Sequence, residues 1–354
     1  MKRYSVAAIT MLILLALVLT ACRPSAREET TPQPLVPLPT KELLDAILQR
    51  GKVICGVNGG LPGFSYLDQT SGQFTGFDAD YCRVLAAALF NDPNAVEFRP
   101  LSAAERSVAL QTGEIDVLIR NTTWTVSRDA TWGEFAPTTF YDGQGMMVRK
   151  ASGITNLEGL KGASICVQSG TTTELNLADQ MRARNIGFTP VVFEQIDATY
   201  TAYEEGRCDA VTSDRSQLAA RRSVFANPDD HVILDIVMSK EPLGPVVPHG
   251  NPRWFDGVKW SVYATIQAEE FGITSKNIDQ FLKSDNPEIR RFLGLEGDLG
   301  QQLGLSNDFV VRIIRHVGNY GEIYERNLTP LGLVPRGVND LWTRGGLLYS
   351  PPFR

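Results

Sequence analysis

Apolar and polar positions alternate from residue 53 onward in a pattern that is typical of α/β structure. Residues 52–57 form an apolar run suited to a buried strand, and a helical pattern follows Asp78, which is the predicted N-cap. Ser102 and Glu105 have the spacing of a capping box, and the helix they open is expected to stop at Gly113. Short strands that alternate with helices predict a parallel α/β fold.

Two pairs of stretches repeat the same order of elements. Residues 109–121 and 202–214 each contain a helix that stops at a glycine and a strand that ends on a polar residue. Residues 53–59 and 164–170 form a second similar pair, in the same order along the chain. Ligands of open parallel sheets bind beyond the carboxyl ends of the strands. The repeats therefore predict two α/β lobes with polar loops facing a common cleft.

The chain is expected to cross twice between these lobes. Crossings at residues 146–148 and 243–247 would give one lobe from residues 41–146 and 245–354, and a second lobe from residues 147–244. A chain that crosses twice can hinge about two linkers and close around a ligand. Two independent domains in series are the alternative.

Residues 1–21 have the layout of an export signal. Lys2 and Arg3 precede an apolar run over residues 6–19, which ends in small residues just before Cys22. This ending resembles a bacterial lipobox, which implies that Cys22 is the lipidated mature N-terminus. A membrane span is the alternative, but the run is shorter than the roughly 20 residues that a spanning helix needs.

The segment after the signal is rich in proline. Residues 22–40 contain five prolines, which disfavour helix and predict an extended spacer between the membrane and the folded body. The whole chain of 354 residues carries a formal net charge of −6, and loss of Lys2 and Arg3 with the signal leaves −8. This acidic balance argues against a nucleic-acid partner, which would require a basic surface.

Four cysteines remain when Cys22 is set aside, and the histidines number only three. An even number of cysteines in an exported chain favours disulfides. Three connectivities exist, and bonds between the lobes would lock the cleft, so Cys55–Cys82 and Cys166–Cys208 are the expected pairs. Four buried free thiols are the alternative. The cysteine and histidine spacing predicts no metal site and no cofactor.

Polar residues at the predicted strand ends are candidates for binding a free amino acid. Arg128 supplies the bidentate donor that suits a carboxylate, and Thr123 adds a hydroxyl, although an ordinary surface arginine is the alternative. Thr171 and Thr172 begin a helix whose N–H groups favour the same carboxylate, or simply cap that helix. Asp214 suits the α-ammonium group, although a helix cap is the alternative.

One aromatic candidate lies in the glycine-rich loop after the first strand. Phe64 is expected either to contact the ligand's side chain or to pack in the core.

Several motifs together resemble one protein family. They are LPGFSY (61–66), GFDAD (76–80), RNTTWT with Arg128, SGT (169–171), SDRSQ (213–217), KEPLGPVV (240–247) and NDLW (339–342). They are similar to type II periplasmic solute-binding proteins for polar amino acids, and particularly to the general L-amino-acid-binding branch. The resemblance implies the type II periplasmic-binding-protein fold, with two hinge-connected α/β lobes and a ligand cleft between them. It also implies delivery of the substrate to an ABC permease.

The resemblance implies roles for individual residues as well. Thr123, Arg128 and the backbone of Thr172 would hold the carboxylate, while Asp214 and the region of Asn121 would hold the ammonium group. Two further positions bear on the choice of ligand. Gln168 is a neutral amide where some relatives have a selective side chain. Leu61 is an aliphatic residue where relatives stack an aromatic one against the ligand. The amide fits broad specificity.

These observations predict a monomeric extracytoplasmic lipoprotein, in the periplasm or at the cell surface, that binds free L-amino acids for an ABC importer. An enzyme on the same scaffold, of dehydratase or lytic type, is the alternative, with Glu174 or Asp214 as general base. Neither a nucleophile-elbow motif nor a Ser-His-Asp pattern supports it. The chain is therefore expected to be a binding protein and not an enzyme.

Overall fold

Two open β-sheets flanked by helices, together with a small antiparallel sheet of three short strands, form the described part of the computed structural model, which covers residues 42–354. The predicted signal peptide, Cys22 and the spacer lie outside these residues. No helix within residues 42–354 is long and apolar enough to cross a membrane.

The elements are numbered in chain order. The strands are β1 Val53–Val57, β2 Gly60–Leu61, β3 Ser65–Leu67, β4 Phe74–Thr75, β5 Val96–Pro100, β6 Val117–Leu118, β7 Glu134–Phe135, β8 Phe140–Arg149, β9 Ser164–Gln168, β10 Thr189–Phe193, β11 Ala210–Asp214, β12 His231–Ile233, β13 Lys240–Leu243 and β14 Val246–Val247. The helices are α1 Leu43–Arg50, α2 Phe77–Phe90, α3 Arg106–Gln111, α4 Val126–Thr131, α5 Thr172–Ala183, α6 Ile196–Glu204, α7 Arg215–Arg222, α8 Pro252–Glu270, α9 Ile278–Phe281, α10 Pro287–Phe292, α11 Leu299–Gln302, α12 Phe309–His316 and α13 Tyr320–Asn327.

The two sheets share one topological unit. The first sheet has the order β5-β1-β6-β14-β7, and the second has the order β10-β9-β11-β8-β12 with β13 paired to β8. Each sheet contains one strand that lies between two parallel neighbours: β1 lies between β5 and β6, and β9 lies between β10 and β11. We call the parts built on these sheets the first and second lobes.

The internal sequence repeat has a structural cause. Asp116 and Asp209 occupy equivalent positions before the third strand of each unit. The carboxylate of Asp116 accepts the backbone N–H of Ile54 at 2.7 Å, and that of Asp209 accepts the N–H of Ser164 at 2.8 Å. Each aspartate thus binds the start of the strand that lies between two parallel neighbours, β1 or β9. The same sequence spacing recurs because the same contact is made twice.

Two antiparallel strands carry the chain between the lobes. β8 begins beside β13 over residues 140–143 and continues into the second sheet, where it pairs with β11 and β12. β13 leads directly into β14, which belongs to the first sheet. Residues 146–148, the first predicted crossing, pair with β11 and β12 within the second sheet, whereas the second predicted crossing, 243–247, spans the end of β13 and β14. The lobe boundaries given above remain predictions.

The start of helix α2 differs from the sequence expectation. Asp78 is not its N-cap, because the helix begins at Phe77 and the capping position is Gly76. Gly76 has φ +122°, and a Cβ there would lie 2.3 Å from the carbonyl oxygen of Phe64, so only glycine fits. The reciprocal bonds expected of Ser102 and Glu105 are present at 2.9 and 3.3 Å, but helix α3 begins only at Arg106, so its capping position is Glu105 and not Ser102.

Both disulfides lie within a lobe. Cys55 is bonded to Cys82 and Cys166 to Cys208, with Cα–Cα distances of 6.1 and 5.7 Å. The first bond joins β1 to helix α2, and the second joins β9 to the start of β11. This agrees with the pairing expected from the sequence, which leaves the cleft free to open.

The C-terminal helices complete the first lobe and brace the connecting strands. Helix α8 packs against α2 and α12, and Trp254 donates a hydrogen bond of 2.8 Å to the carbonyl oxygen of Asp116. Farther along the chain, the side chain of Asn339 bonds both the N–H and the carbonyl oxygen of Tyr141, at 2.6 and 2.9 Å. The first connection between the lobes is thereby fixed at its start.

Candidate functional site

A small cleft lies between the lobes, at the carboxyl ends of β6, β9 and β11. Its cavity volume is about 20 Å³ in this arrangement, so the two lobes lie close together around it. Its lining residues are Arg106, Arg120, Asn121, Thr123, Gln168, Thr171, Thr172, Thr173, Ser213, Asp214 and Gln217. Within residues 42–354 there is no group of His, Cys, Asp and Glu that could hold a metal ion.

Six of the eight predicted ligand-binding residues line this cleft, and two lie outside its lining. Those in the lining are Asn121, Thr123, Gln168, Thr171, Thr172 and Asp214. Arg128 lies directly behind Thr123, to whose carbonyl oxygen it donates a hydrogen bond of 3.1 Å. Phe64 is fully buried and packs edge-on against Phe77 and Phe140. Of the two roles left open for Phe64, the structure therefore favours core packing.

The lobes touch directly across the cleft. Asn121 donates its amide to the side-chain oxygen of Gln217 at 3.1 Å, and the hydroxyl oxygens of Thr123 and Thr172 are 3.3 Å apart. Gly170, at φ +71°, lies so close to the first lobe that a Cβ would be 3.3 Å from the carbonyl oxygen of Ala103. These contacts define a closed arrangement.

Asn121 is held in an unusual backbone conformation at the end of β6. Its φ is +36°, which is uncommon for a residue other than glycine, and its N–H donates to the buried carboxylate of Asp78 at 2.7 Å. Such conformations persist only where surrounding contacts fix them, and they cluster at ligand sites. Burial raises the pKa of Asp78 to about 6, against the opposing effects of this hydrogen bond and of Arg120.

Three arginines bring positive charge to the first-lobe side. Arg128 stands in the first turn of α4, and its guanidinium lies 4.6 Å from the ring centre of Trp132, with that of Arg106 over the same ring at 5.4 Å. The third, Arg120, donates from Nε to the carbonyl oxygen of Leu101 at 2.8 Å. Burial is the largest cause of a lowered pKa in all three guanidinium groups, and it brings that of Arg120 to about 10.

Arg106 is the least satisfied of these cations. It is 2% exposed, its Nη atoms reach oxygen acceptors only at 3.5 Å, and its Nε is buried without a hydrogen-bond partner. After burial, the charges of Arg128 and Arg120 are the next causes that hold its pKa well below the usual range. A buried cation with unused donors is poised to bind an anion.

On the second-lobe side, helix α5 points its N-terminus at the cleft. Thr171 caps this helix by accepting the N–H of Glu174 at 3.1 Å, which confirms the capping alternative for Thr171 without excluding ligand contact. The hydroxyl of Thr172 donates to Glu241 at 2.8 Å. First-turn N–H groups have no acceptor within their helix, so this end of α5 favours a negative charge.

Asp214 presents a buried carboxylate at the end of β11. It is 5% exposed, and no group within residues 42–354 donates a hydrogen bond to its side chain. Burial raises its pKa well above the usual range, and the nearby carboxylates of Asp142 and Glu241 raise it further. A cationic group placed beside Asp214 would relieve this cost.

Gln168 contributes an amide that is already engaged. Its Nε2 donates to the carbonyl oxygen of Glu194 at 2.9 Å, so its side-chain oxygen and its second amide hydrogen remain for the cleft.

Sequence reasoning missed five lining residues: Arg106, Arg120, Thr173, Ser213 and Gln217. Arg120, Ser213 and Gln217 lie inside motifs that carried the family resemblance, and that membership was the available signal. Arg106 had no such signal, because it stands at the start of the short helix α3 and reaches the cleft only through the packing of that helix.

Comparisons with known proteins agree with this architecture. The model of the bacterial extracellular solute-binding proteins, family 3, matches residues 53–291. The general L-amino acid-binding periplasmic protein AapJ of Rhizobium johnstonii is 52% identical, over 88% of this chain and 92% of its own length. The glutamate/glutamine/aspartate/asparagine-binding protein BztA of Rhodobacter capsulatus is 49% identical, over 88% and 93%. A periplasmic binding protein from Brucella ovis with glutathione bound has a TM-score of 0.86 at 52% identity, covering 88% of this chain and 99% of that one.

The raised pKa of Asp78 predicts a specific pH dependence of stability. The folded protein holds a proton on Asp78 up to a pH of about 6, whereas the unfolded chain loses it near the ordinary value of 3.8. The carboxyl therefore stabilises the fold fully below pH 3.8, and this contribution of about 3 kcal/mol is lost as the pH rises to about 6. Asp78→Asn retains an acceptor for Asn121 and removes the titration.

We expect the unfolding free energy of Asp78→Asn to rise relative to that of the wild type between pH 4 and pH 6.5. Urea denaturation of ligand-free protein at several pH values measures it. Asp142, which has a similarly raised pKa, is present in both proteins and cancels. A difference that stays constant across this range would contradict the assignment.

Proposed function

This chain belongs to family 3 of the bacterial extracellular solute-binding proteins, and we propose that it is the extracytoplasmic receptor of an ABC amino-acid importer. It would capture free L-amino acids in the cleft between its lobes and deliver them to the permease. Binding would occur without chemical transformation, and the receptor would act as a monomer.

One observation carries this proposal: the buried carboxylate of Asp214, which has no donor within residues 42–354, lines the same small cleft as the guanidinium groups of Arg106 and Arg120, and Arg128 lies directly behind that lining. Asp214 is suited to the α-ammonium group, while Thr123, Arg128 and the start of α5 are suited to the α-carboxylate. An amino-acid zwitterion supplies both missing charges at once. Neither a lone anion nor a lone cation would do so.

Broad specificity is the expected consequence of this arrangement. The groups named above contact what all α-amino acids share, so the ligand's side chain contributes little to the charge balance. Gln168, a neutral amide whose NH₂ is bonded to the backbone, adds no charge that would select one side chain. The names of AapJ and BztA, which specify general or four-ligand binding, support the same reading.

Arg106 adds a preference within this range. Its unused donors suit a second carboxylate, such as the side chain of glutamate or aspartate. Glutathione is a second candidate ligand, because the Brucella ovis neighbour holds it and because it carries one ammonium group and two carboxylates. Acidic amino acids and glutathione would both place their second carboxylate against Arg106.

The location follows from the N-terminal sequence. A lipid on Cys22 and the proline-rich spacer would hold the body outside the cytoplasmic membrane and within reach of the permease. This part of the proposal rests on the lipobox resemblance alone.

Removing either charge that faces the zwitterion is predicted to weaken binding strongly. Asp214→Asn and Arg128→Met should each cost about 2–5 kcal/mol of affinity for L-glutamine, because each leaves one ligand charge buried without its partner. Isothermal titration calorimetry of refolded, ligand-free protein measures this. Asp235→Asn and Arg182→Met make the same chemical changes at exposed positions of the second lobe and serve as controls. Affinity close to that of the wild type in both cleft variants would refute the site.

Arg106→Met is predicted to change selectivity rather than binding in general. Loss of an anion donor worth about 1.5–3 kcal/mol should lower affinity for L-glutamate, L-aspartate and glutathione by about tenfold or more, and for L-leucine much less. The same calorimetric assay over these four ligands tests it. A uniform loss for all four would show that Arg106 acts on the α-carboxylate or on the fold.

Cys22→Ser is predicted to release the protein from the membrane fraction. The hydroxyl cannot carry the thioether-linked lipid, so the variant should appear in the soluble extracytoplasmic fraction or the medium. Fractionation followed by immunoblotting measures the distribution, with Ser25→Ala as a control that leaves the cysteine intact. Equal membrane association of Cys22→Ser and the wild type would exclude a lipid anchor at Cys22.

A further inference from the structure

We propose that Glu241, a residue of the second connecting strand and not of the cleft lining, is a positioning residue for the carboxylate-binding half of the site. The inference rests on the proposed amino-acid function. Each lobe contributes hydrogen-bond donors for the ligand's carboxylate. The side chain of Glu241, on a connecting strand, would hold these two sets of donors in position relative to one another.

Glu241 is bound to the start of helix α5 on the second-lobe side. It is 1% exposed, and one of its oxygens accepts the hydroxyl of Thr172 at 2.8 Å. Its other oxygen accepts the side-chain amide of Asn176 at 2.9 Å and the hydroxyl of Ser239. The carboxylate thus joins strand β13 to the first and second turns of α5, and both of its oxygens are in use.

The residues next to Glu241, 242–244, are bound to the loop of the first lobe that contains residues 122–124. The carbonyl oxygen of Pro242 accepts the N–H of Trp124 at 2.8 Å, and Gly244 donates its N–H to the carbonyl oxygen of Thr122 at 3.1 Å. Thr123, between these two loop residues, forms a β-bridge with Leu243. Residues 241–244 therefore hold both halves of the carboxylate site, one through backbone bonds and the other through the Glu241 side chain.

The bond to Glu241 fixes the orientation of the Thr172 hydroxyl. Its hydrogen is committed to the carboxylate, so the contact of 3.3 Å with Thr123 requires the hydrogen of Thr123. The Thr172 oxygen consequently cannot donate to a ligand carboxylate. That group is left to the N–H groups at the start of α5 and to Arg128, and to Thr123 only where the ligand replaces Thr172 as the acceptor of its hydroxyl.

A carboxylate is costly at this position, which argues that its chemistry is required. Glu241 lies directly opposite Asp142 in the pairing of β13 with β8, and like charges in such a pair are destabilising. Its charge also raises the pKa of Asp214, while Arg128 and Arg106 supply the opposing charge. A glutamine would avoid the repulsion, but it has a single acceptor oxygen. Its NH₂ group would face either the hydroxyl of Thr172 or the side-chain amide of Asn176, so one of these two groups would lose its acceptor.

The test is a double-mutant cycle on amino-acid affinity with Glu241→Gln and Thr172→Val. In the wild-type background, Glu241→Gln should lower affinity for L-glutamine about tenfold, because the loss of one charged hydrogen bond frees Thr172. In the Thr172→Val background the same change should have less than about a twofold effect, since the group that Glu241 holds is already gone. Ser239→Ala removes a hydrogen bond from the same carboxylate without touching the cleft, and it should leave affinity within about twofold.

Several outcomes would overturn the inference. An equal loss in both backgrounds would indicate a merely structural role, and so would a loss that follows the thermal unfolding temperature of the ligand-free variants. If Glu241→Gln does not fold, Thr172→Val against Thr172→Ser measures the same link, and equal affinities of those two variants would refute it. Normal binding by the wild type and by Glu241→Gln would refute this inference alone. Absence of binding by the wild type would remove the proposed function as well.

Discussion

The cost of burying charge is the constraint on which this structure depends. An ionised group inside a protein is destabilising by several kcal/mol unless it is paired and hydrogen-bonded. Within residues 42–354, the closed cleft nevertheless buries Arg106 with an unpaired Nε and Asp214 with no donor to its carboxylate. The proposed zwitterion between them would offset both penalties together. Closure and capture of the ligand are therefore one equilibrium, because the closed form is costly without the ligand and favoured with it.

The fold supplies the geometry that this constraint requires. Each lobe places one strand between two parallel neighbours, so each delivers its polar residues at the carboxyl ends of its sheet. The second connecting strand contributes more than flexibility. Through Pro242 and Gly244 it holds the loop of the first lobe, and through Glu241 it holds the helix of the second. A rotation of the lobes about these residues would change the site itself.

The sequence was sufficient to predict the features that depend on local pattern. The repeated spacing around Asp116 and Asp209 follows from equivalent hydrogen bonds, and it correctly indicated two similar lobes and the cysteine pairs within them. Residues that directly follow a strand, such as Asn121 and Asp214, were found because chain position alone brings them to the sheet edge. Features that depend on packing between distant elements were not predictable. The partner of Asp78 is 43 residues away along the chain, so its carboxylate was mistaken for a helix cap.

The same distinction explains why the charge balance of the site could not be derived from motifs. Arg106 reaches the cleft through the placement of a six-residue helix, and Glu241 reaches α5 through a contact between residues 69 positions apart. Neither residue follows a strand at the cleft edge, and both alter the field there. In the proposed site, the α-amino and α-carboxyl groups would be recognised by residues near strand ends, which the order of the chain reveals. Selectivity and the coupling of binding to closure depend on buried charges behind them, which only the packed structure brings together.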